Sequence, residues 1–447
     1  MYRVIHGNPN ETPDARDFID LLDNLAAHSF APARELFNTE ADLIISRAPG
    51  RLDVMGGIAD YSGSHVLEFP IAEATFAAVQ LQTERTLNIV TLLHDDLSHR
   101  VFTMSLGAFD GPLDYDEARD FFRRHTANHW AAYVAGVFLV LMHEKDVSFA
   151  SGANILISSR VPPGKGVSSS AALEVAVMQA VTEAFNVRIE PRAKALLCQK
   201  VENLVVGAPC GVMDQMTAVF GERDRLLLLL CQPAEIQRMI TSPSRLRLWG
   251  IDSGIRHSVG GGDYGSVRAA TFAGLQVIAN LRAGTDYLAN ISPAEFEREF
   301  FDQLPEHLRT ATSHPVYENA RVQRFVELLG QVDSSDNPDP LLIQLGELMY
   351  ESHRSYTALG LNSSGTDLLV ELVRREGPGA GLFGAKITGG GGGGTVAVLG
   401  NQTSDAAIER VAASYANETG HHPYIFNGSS SGSLAFGHLR LRQTEAA

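Results

Sequence analysis

A short run of glycines and serines has the composition of a loop that binds phosphate. Residues 161–177 read VPPGKGVSSSAALEVAV, in which Gly164 and Gly166 have no side chains to keep an anion away from the backbone. The serines at 168–170 then begin a predicted helix. A helix N-terminus presents unpaired N–H groups and the positive end of the helix dipole, and both attract anions. The pattern predicts phosphate binding, with a serine-capped helix after a flexible loop as the alternative.

This loop follows neither of the two common nucleotide-binding patterns. No GxxxxGK[ST] sequence occurs in the chain, which excludes a Walker P-loop. The two glycines are followed by serines where a Rossmann fingerprint has its third glycine, and no acidic residue is placed to bind a ribose. We therefore expect a phosphate loop of a different class.

Four polar residues elsewhere could act on a phosphorylated ligand. Arg51 and Asp60 lie in residues 47–61, which read RAPGRLDVMGGIADY. Glu202 lies on a predicted helix, and Asp214 lies near the start of the next helix, after a Gly-Ala-Pro break. Taken singly, each of these residues would more often belong to a surface ion pair or a helix cap. A catalytic role requires the fold to bring them together.

A second glycine-rich segment lies near the end of the chain. Six consecutive glycines at 389–394 separate two predicted strands. Glycine within a strand often marks the close approach of a ligand or of another backbone segment. A flexible hairpin loop is the alternative, although a linker would not join an apolar strand so directly.

The predicted elements place these segments on loops. Residues 42–104 contain short alternating and β-branched runs typical of strands, and further strands flank the glycine segments. The helices are predicted at 128–143, 170–185, 191–206, 264–282, 319–333, 339–359, 366–375 and 404–417. This order predicts an α+β protein whose two halves, 1–222 and 223–447, face each other across a cleft.

The overall composition favours a globular enzyme. The 447 residues are 45% hydrophobic, and the net charge of -16 repels nucleic-acid phosphates and anionic lipid. Three cysteines without a CxxC pair predict reduced thiols. No apolar run approaches the roughly 20 residues of a membrane span, and the first residues lack a signal-peptide pattern. We therefore expect a cytoplasmic enzyme that acts on small molecules, with no nucleic-acid or membrane partner.

Four stretches of the chain, in this order, resemble the motifs of the GHMP kinases and specifically of the galactokinase branch. They are APGRLDVMGGIADYSG, PPGKGVSSSAA, APCGVMDQ and ITGGGGGG. The resemblance extends from about residue 30 to residue 435. It implies the two-domain α+β fold of that family, with ATP and a sugar in the cleft between the domains. It also implies Mg²⁺-dependent phosphorylation of the anomeric hydroxyl group of the sugar.

The same resemblance implies a role for individual residues. Asp214 matches the acid taken as the catalytic base, and Arg51 matches the arginine beside it. Ser170, or less well Ser169, and Glu202 match the Mg²⁺ ligands, and a hydroxyl and a carboxylate suit this hard ion. The positions implied to bind the sugar are Gly57, Asp60, Gly211 and Tyr264. The positions implied to bind ATP are Pro163, Gly164, Gly166, Ser168, Ser169, Ser170, Gly389, Gly390 and Gly391.

The first motif departs from the galactokinase pattern. Galactokinases have GEHTDY where this chain has GGIADY at 56–61, so Gly57 replaces an acid and Ile58 and Ala59 replace two polar residues. In that family the glutamate is associated with the C6 hydroxyl group of the sugar. L-Arabinose in its pyranose form is D-galactose without the C6 hydroxymethyl group. A buried carboxylate without a hydroxyl partner would be costly, so the glycine favours L-arabinose.

Other interpretations stay open at this point. The stretches GRLDVMGGIADYSGS, VENLVVGAPCGVMDQM and GIDSGIRHSVGG also resemble the kinase domain of plant L-arabinokinases. Galactose with looser recognition of C6 is the main alternative, whereas a uronate would need a cation that the stretch GGIADY at 56–61 does not offer. A sugar or ATP sensor without catalysis is a third possibility, but such proteins typically lack part of the catalytic set. The oligomeric state is left open by the sequence.

Overall fold

The computed structural model describes residues 1–93, 99–111, 114–124, 126–255 and 262–444. Residues 256–261 of the stretch GIDSGIRHSVGG therefore lie outside the described residues. The strands are β1 (Tyr2–His6), β2 (Leu43–Met55), β3 (His65–Gln82), β4 (Thr86–Leu93), β5 (Arg100–Ser105), β6 (Gly152–Ser159), β7 (Arg225–Leu230), β8 (Glu235–Thr241), β9 (Leu246–Asp252), β10 (Leu382–Ile387), β11 (Thr395–Asn401), β12 (Ile425–Asn427) and β13 (Leu439–Gln443). The α-helices are α1 (Pro13–Asp23), α2 (Ala31–Arg34), α3 (Tyr115–Arg124), α4 (Ala132–Lys145), α5 (Ser169–Ala184), α6 (Pro191–Lys200), α7 (Met213–Phe220), α8 (Gly262–Leu281), α9 (Pro293–Glu295), α10 (Glu306–Leu329), α11 (Asp339–Ala358), α12 (Ser364–Glu376), α13 (Asp405–Thr419) and α14 (Ser433–Phe436).

A large, mostly antiparallel sheet contains nine of these strands. Seven lie in the order β1-β13-β2-β3-β6-β4-β5, and β7 pairs with both β3 and β8. Every residue of β2 is buried, because helices and strands of the second sheet cover its faces. The sheet draws strands from both of the expected halves, 1–222 and 223–447, since β7, β8 and β13 belong to the second.

A second sheet of four strands has the order β10-β11-β9-β12, and all of its pairs are antiparallel. Helices α11 and α12 pack on β10. Apolar side chains of the two sheets share one core, in which Leu52 and Phe69 of the large sheet join Leu248 and Phe383 of the small sheet. The glycines at 389–394 connect β10 to β11 and lie where the two sheets meet.

The predicted helices are present, with two changes of geometry. The helix expected at 128–143 begins as a 3₁₀ helix at Thr126–Ala131 and continues as α4. Helix α5 begins at Ser169, directly after the phosphate loop, as the serines predicted. The helix expected over 191–206 begins as α6 and continues as a π-helical turn at Val201–Val206. Such turns inside helices often accompany functional sites, and this one contains Glu202. The helix expected at 319–333 is longer, since α10 begins at Glu306.

None of the helices in the described ranges combines the length and the apolar character that crossing a membrane requires.

Candidate active site

Residues from distant parts of the chain line one cavity of about 120 Å³. Its walls come from β2, the loop before α5, the start of α7 and the glycines after β10. Of the residues predicted to act in chemistry, the lining contains Arg51, Asp60, Gly164, Gly166, Ser168, Ser169, Ser170, Glu202, Gly211, Asp214, Tyr264, Gly389 and Gly390. The predicted residues outside this lining are Gly57, Pro163 and Gly391. The fold thus brings together most of a set that was scattered in the sequence.

Arg51 holds one oxygen of Asp214. Its Nε and Nη2 donate to Asp214 Oδ1 at 3.0 and 2.7 Å, and its Nη1 donates to the carbonyl oxygen of Gly166 at 2.6 Å. Among the described residues, none donates a hydrogen bond to Asp214 Oδ2, and this side chain is 19% exposed. Asp214 therefore has one anchored oxygen and one available oxygen. The same arginine ties the acid to the phosphate loop.

The positive charge of Arg51 is secured by the acids around it. Burial would lower the pKa of Arg51, but the negative charges of Asp214, Glu68 and Asp53 raise it overall. Glu68 Oε2 lies 3.1 Å from Arg51 Nε. Burial, followed by the charge of Asp53, raises the pKa of Glu68 well above its usual value. A permanent cation therefore lies at the wall of the cavity.

Glu202 and Ser170 line another wall of the cavity, where the Ser170 hydroxyl group opposes the rise in the pKa of Glu202. Gln215 Nε2 donates to Glu202 Oε2 at 2.8 Å and to Glu174 Oε2 at 3.3 Å, which orients the carboxylate. Burial, followed by the charge of Asp214, raises the pKa of Glu202 to about 7. A buried carboxylate beside a hydroxyl group is a pair of oxygen ligands that suits Mg²⁺.

No group of three His, Cys, Asp or Glu side chains that could hold a metal is found in the described part of the chain. Mg²⁺ usually takes one or two protein carboxylates and completes its shell with water and substrate phosphates. The donor set of Ser170 and Glu202 therefore fits Mg²⁺ bound together with a phosphate ligand.

The phosphate loop has the backbone geometry that its glycines predict. Gly164 and Gly166 have φ angles of 72° and 71°, and a Cβ at Gly166 would lie 2.9 Å from the carbonyl oxygen of Thr388. Ser168 precedes α5 with a φ of 61°. Its buried Oγ has no hydrogen-bond partner among the described residues. An unpartnered buried hydroxyl at the N-terminus of a 16-residue helix fits a bound anion.

Asp60 and Gly211 pack against each other in the cavity. A Cβ at Gly211 would lie 1.8 Å from Asp60 Oδ2, so only glycine leaves room for this carboxyl group. Tyr264 lines the same cavity, with its ring 6.2 Å from that of Tyr61. Burial, followed by the charge of Asp214, raises the pKa of Asp60 to about 7. Polar groups that converge on one cavity beside apolar side chains are typical of a small-molecule site.

Gly57 lies behind the cavity wall, whereas Ile58 and Asp60 line the cavity. A Cβ at Gly57 would lie 1.9 Å from Tyr356 Oη and 2.1 Å from Asp53 Oδ2. Ile58 has a φ of 54°, which is strained for a β-branched residue. The segment thus closes the space at position 57 and presents Ile58 to the cavity. The sugar contact expected of Gly57 stays a prediction.

A second cavity of about 250 Å³ adjoins the phosphate loop. The residues that it shares with the first cavity are Gly164, Ser169 and Ser170. Pro163 lines it, together with Trp130 and Tyr133. Sequence reasoning missed the two aromatic residues, because aromatic side chains in an apolar helical segment are also typical of a core.

Three buried charged residues near the cavity were also missed. Asp53 Oδ2 pairs with Lys386 Nζ at 2.7 Å, and both side chains are 0% exposed. Glu68 lies opposite Asp53 in the β2–β3 register. A charged residue within an apolar strand was the signal that could have revealed them, but their partners lie on strands that are distant in sequence. Asp53, Glu68 and Lys386 form a buried group of charged side chains next to Arg51.

Family models match three parts of the chain. The model for the GHMP kinases N terminal domain matches residues 132–222, the galactokinase galactose-binding signature matches 34–81, and the GHMP kinases C terminal model matches 340–417. The matched regions contain the phosphate loop, Arg51, Asp60 and the glycine run at 389–394.

Known relatives agree with these matches. L-Arabinokinase of Arabidopsis thaliana is 42% identical over an alignment of 498 positions, gaps included. The alignment covers 91% of this chain and 48% of that protein. The chain thus spans about half the length of the plant relative. Galactokinase of Chloroflexus aggregans is 31% identical over 378 residues, which cover 84% of this chain and 89% of that enzyme.

Solved structures show the same fold. Lactococcus lactis galactokinase complexed with galactose matches with a TM-score of 0.77 and 23% identity, covering 93% of this chain and 99% of that chain. Methanococcus jannaschii mevalonate kinase matches with a TM-score of 0.58 and 16% identity, over 87% and 98% of the two chains. These likenesses confirm the two-domain α+β fold predicted from the sequence. This chain therefore belongs to the GHMP kinases, within the galactokinase family of sugar kinases, which transfer a phosphoryl group to an alcohol acceptor.

Proposed function

We propose that this protein is an ATP-dependent kinase that phosphorylates the anomeric hydroxyl group of L-arabinose, giving L-arabinose 1-phosphate. The observation that carries the proposal is the setting of Asp214. Arg51 holds one of its oxygens, no donor in the described part of the chain reaches the other, and the same arginine binds the carbonyl oxygen of Gly166 in the phosphate loop. Phosphoryl transfer depends mainly on positioning and charge stabilisation, and this arrangement supports both.

ATP is the proposed phosphoryl donor. The loop amides and Ser168 Oγ would bind its phosphates at the N-terminus of α5. The second cavity, with Trp130 and Tyr133, lies next to that loop and has an aromatic lining that suits a nucleobase. The two cavities share residues of this loop, which supports a nucleotide that lies across the phosphate loop with its terminal phosphate toward Asp214.

Asp214 is the proposed base. Its Oδ2 would accept the proton of the anomeric hydroxyl group while that oxygen bonds to the γ-phosphorus of ATP and the bond from phosphorus to the bridging oxygen breaks, which releases ADP. General-base assistance of this kind contributes roughly 10²–10⁴-fold. Arg51 would stabilise the negative charge on the transferring group.

Ser170 and Glu202 are the proposed holders of Mg²⁺. When bound, the ion would neutralise charge on the phosphate oxygens. Gln215 keeps Glu202 in place through its 2.8 Å hydrogen bond. Because the pKa of Glu202 is about 7, the ligand is only partly ionised near neutral pH until a cation is present.

L-Arabinose is the proposed sugar, on two grounds. The plant relative at 42% identity is an L-arabinokinase. In addition, Ile58 gives the cavity an apolar wall in the segment where galactokinases carry polar residues. Losing one charge-assisted hydrogen bond costs about 1.5–3 kcal/mol, which corresponds to roughly 10–150-fold in affinity. We therefore propose a preference for the pentose and weaker use of galactose.

Phosphorylation of D-galactose is the second candidate. The galactose-binding signature matches residues 34–81, and the Chloroflexus relative is a galactokinase that the chain covers almost completely. Asp60, Gly211 and Tyr264 would serve a galactose ring equally well. The two candidates share one mechanism and differ only in what is accepted at C6.

Product analysis tests the proposal directly. The purified protein is incubated with ATP, Mg²⁺ and one of L-arabinose, D-galactose or D-galacturonate, and phosphorus NMR is used to detect an anomeric phosphate. We expect L-arabinose 1-phosphate as the main product. Sugar binding without any phosphoryl transfer would contradict a kinase and favour a sensor of the same fold.

A further inference from the structure

The space beside Gly57 is filled by the hydroxyl group of Tyr356. Tyr356 lies near the end of α11 and is 0% exposed. Its hydroxyl donates to the carbonyl oxygen of Gly389 at 2.7 Å and lies 3.3 Å from Asp53 Oδ2. A side chain at position 57 would collide with this hydroxyl group, since even a Cβ would lie 1.9 Å away.

Several groups hold the Tyr356 ring in place. Lys386 Nζ lies 5.3 Å from the ring centroid and pairs with Asp53. On another side, a Cβ at Gly391 would lie 3.2 Å from Tyr356 Cδ1. Burial, followed by the charge of Asp53, raises the pKa of Tyr356, so its hydroxyl keeps the proton that it donates to Gly389. The tyrosine is therefore a rigid hydrogen-bond donor.

The direction of the Gly389 carbonyl sets the direction of the next amide. The peptide bond from Gly389 to Gly390 is trans, and in a trans peptide the carbonyl and the following N–H point in opposite directions. The carbonyl of Gly389 points to Tyr356, behind the cavity wall. Gly390 lines the cavity, and within the described ranges no protein acceptor is found for its N–H.

We propose that Tyr356 is a positioning residue that turns the Gly389–Gly390 peptide so that the Gly390 N–H donates to the terminal phosphoryl group of ATP. This inference rests on the proposed kinase function. A Cβ at Gly389 would lie 3.3 Å from Arg51 Nη2, so the peptide is next to the cation that faces the reaction. A backbone donor that is oriented in advance stabilises developing charge without reorganisation. Gly57 contributes by leaving room for the tyrosine hydroxyl.

The variant Tyr356→Phe tests this role, because it removes the hydroxyl group and keeps the ring. Tyr350→Phe is the matched control, since Tyr350 is also a buried tyrosine of α11 but packs in the core of the small sheet. Calorimetric titration of each variant with Mg²⁺ and either ADP or the imidodiphosphate analogue of ATP measures nucleotide affinity without turnover. Steady-state kinetics with L-arabinose gives kcat and KM.

We expect Tyr356→Phe to bind the ATP analogue about tenfold more weakly while its affinity for ADP stays within about twofold of the wild type. We expect kcat to fall roughly 10- to 100-fold, with KM for L-arabinose nearly unchanged. The control should match the wild type in all of these values. Equal weakening of both nucleotides, or of neither, would overturn the inference.

A double-variant cycle gives a second measurement. Gly57→Ala forces a methyl group into the space of the hydroxyl, so we expect it to show the same selective loss for the ATP analogue. The double variant with Tyr356→Phe should be no worse than Gly57→Ala alone, because both changes break the contact of the Tyr356 hydroxyl, and the collision of the new methyl group with Asp53 Oδ2 is present in both variants that carry Gly57→Ala. Fully additive losses would contradict the shared contact. A wild type that phosphorylates no sugar would instead fail the proposed function, whereas an active wild type matched by Tyr356→Phe would fail this inference alone.

Discussion

The two carboxylate oxygens of Asp214 have different surroundings. Arg51 occupies one oxygen, and no donor among the described residues occupies the other. We expect Asp214→Asn to lower kcat roughly 10²–10⁴-fold, since the amide cannot accept the proton. Asp367→Asn is a suitable control, because Asp367 is also hydrogen-bonded to a side chain, His353 Nε2 at 3.1 Å, but lies outside the cavity. Retention of more than half of the wild-type kcat by Asp214→Asn, measured by ADP release, would contradict a role as base.

We expect the Asp60 side chain to lower the stability of the folded protein at neutral pH. Its pKa is raised to about 7 in the folded protein from a usual value of 3.8. Between these values the folded state retains a proton that the unfolded state has lost, so stability falls as the pH rises from about 4 to about 7 and then levels off. We expect Asp60→Asn to unfold at a higher temperature than the wild type, with a larger gain at pH 8 than at pH 5.

Thermal unfolding at the two pH values measures this effect. The exposed residue Asp302 provides the control, since Asp302→Asn should follow the wild-type curve at both pH values. If Asp60→Asn raised the unfolding temperature more at pH 5 than at pH 8, the predicted direction of the pH dependence would be wrong.

We propose that the phosphate loop binds ATP through its backbone, so a change in its backbone conformation should weaken binding. An alanine at position 166 would have to adopt a left-handed φ, and its Cβ would lie 2.9 Å from the carbonyl oxygen of Thr388. An alanine at position 284 would also need a left-handed φ, of 82°, but its Cβ would have no atom within 4 Å. We expect Gly166→Ala to raise KM for ATP at least tenfold, because the loop must move away from the phosphates. Gly284→Ala should lose only about 1 kcal/mol of stability and keep its KM.

Elements of this protein were predictable where local chemistry decides them. The glycines and serines predicted both the loop and the start of α5, since a helix N-terminus and its anion site involve neighbouring residues. The π-helical turn that carries Glu202 was not predictable, because its sequence VENLVV has an ordinary helical pattern. Tyr356 also gave no signal, since a tyrosine on an amphipathic helix is typical of a packed face and its partner Gly389 is 33 residues away.

At the scale of the whole molecule, the two ends of the chain meet in the large sheet. Strand β13 lies between β1 and β2, and Leu441 is 0% exposed in a core that contains Leu43 and Phe18. We expect Leu441→Ala to lower the free energy of unfolding by about 2–5 kcal/mol, although it lies near the C-terminus. Leu434→Ala, at a leucine that is 50% exposed, should change it by less than about 1 kcal/mol. Chemical denaturation of both variants measures these changes in the free energy of unfolding. Equal changes would contradict the claim that β13 stabilises the large sheet.

The sequence predicted the fold class and most cavity residues because four motifs appear in a fixed order over the chain. It could not predict how strands from distant segments combine. The pairs β3–β7 and β2–β13 join residues on both sides of position 222. The buried pair of Asp53 and Lys386 likewise depends on the contact between the two sheets. Such partners are set by tertiary packing, which local patterns do not encode.

The choice of sugar is the central question, and competition kinetics answers it most directly. The purified protein is given equal concentrations of L-arabinose and D-galactose with ATP and Mg²⁺, and the ratio of the two sugar 1-phosphates gives the ratio of their kcat/KM values. We expect L-arabinose 1-phosphate to exceed galactose 1-phosphate by at least about tenfold. A tenfold excess of galactose 1-phosphate would contradict the proposal and identify galactose as the preferred substrate.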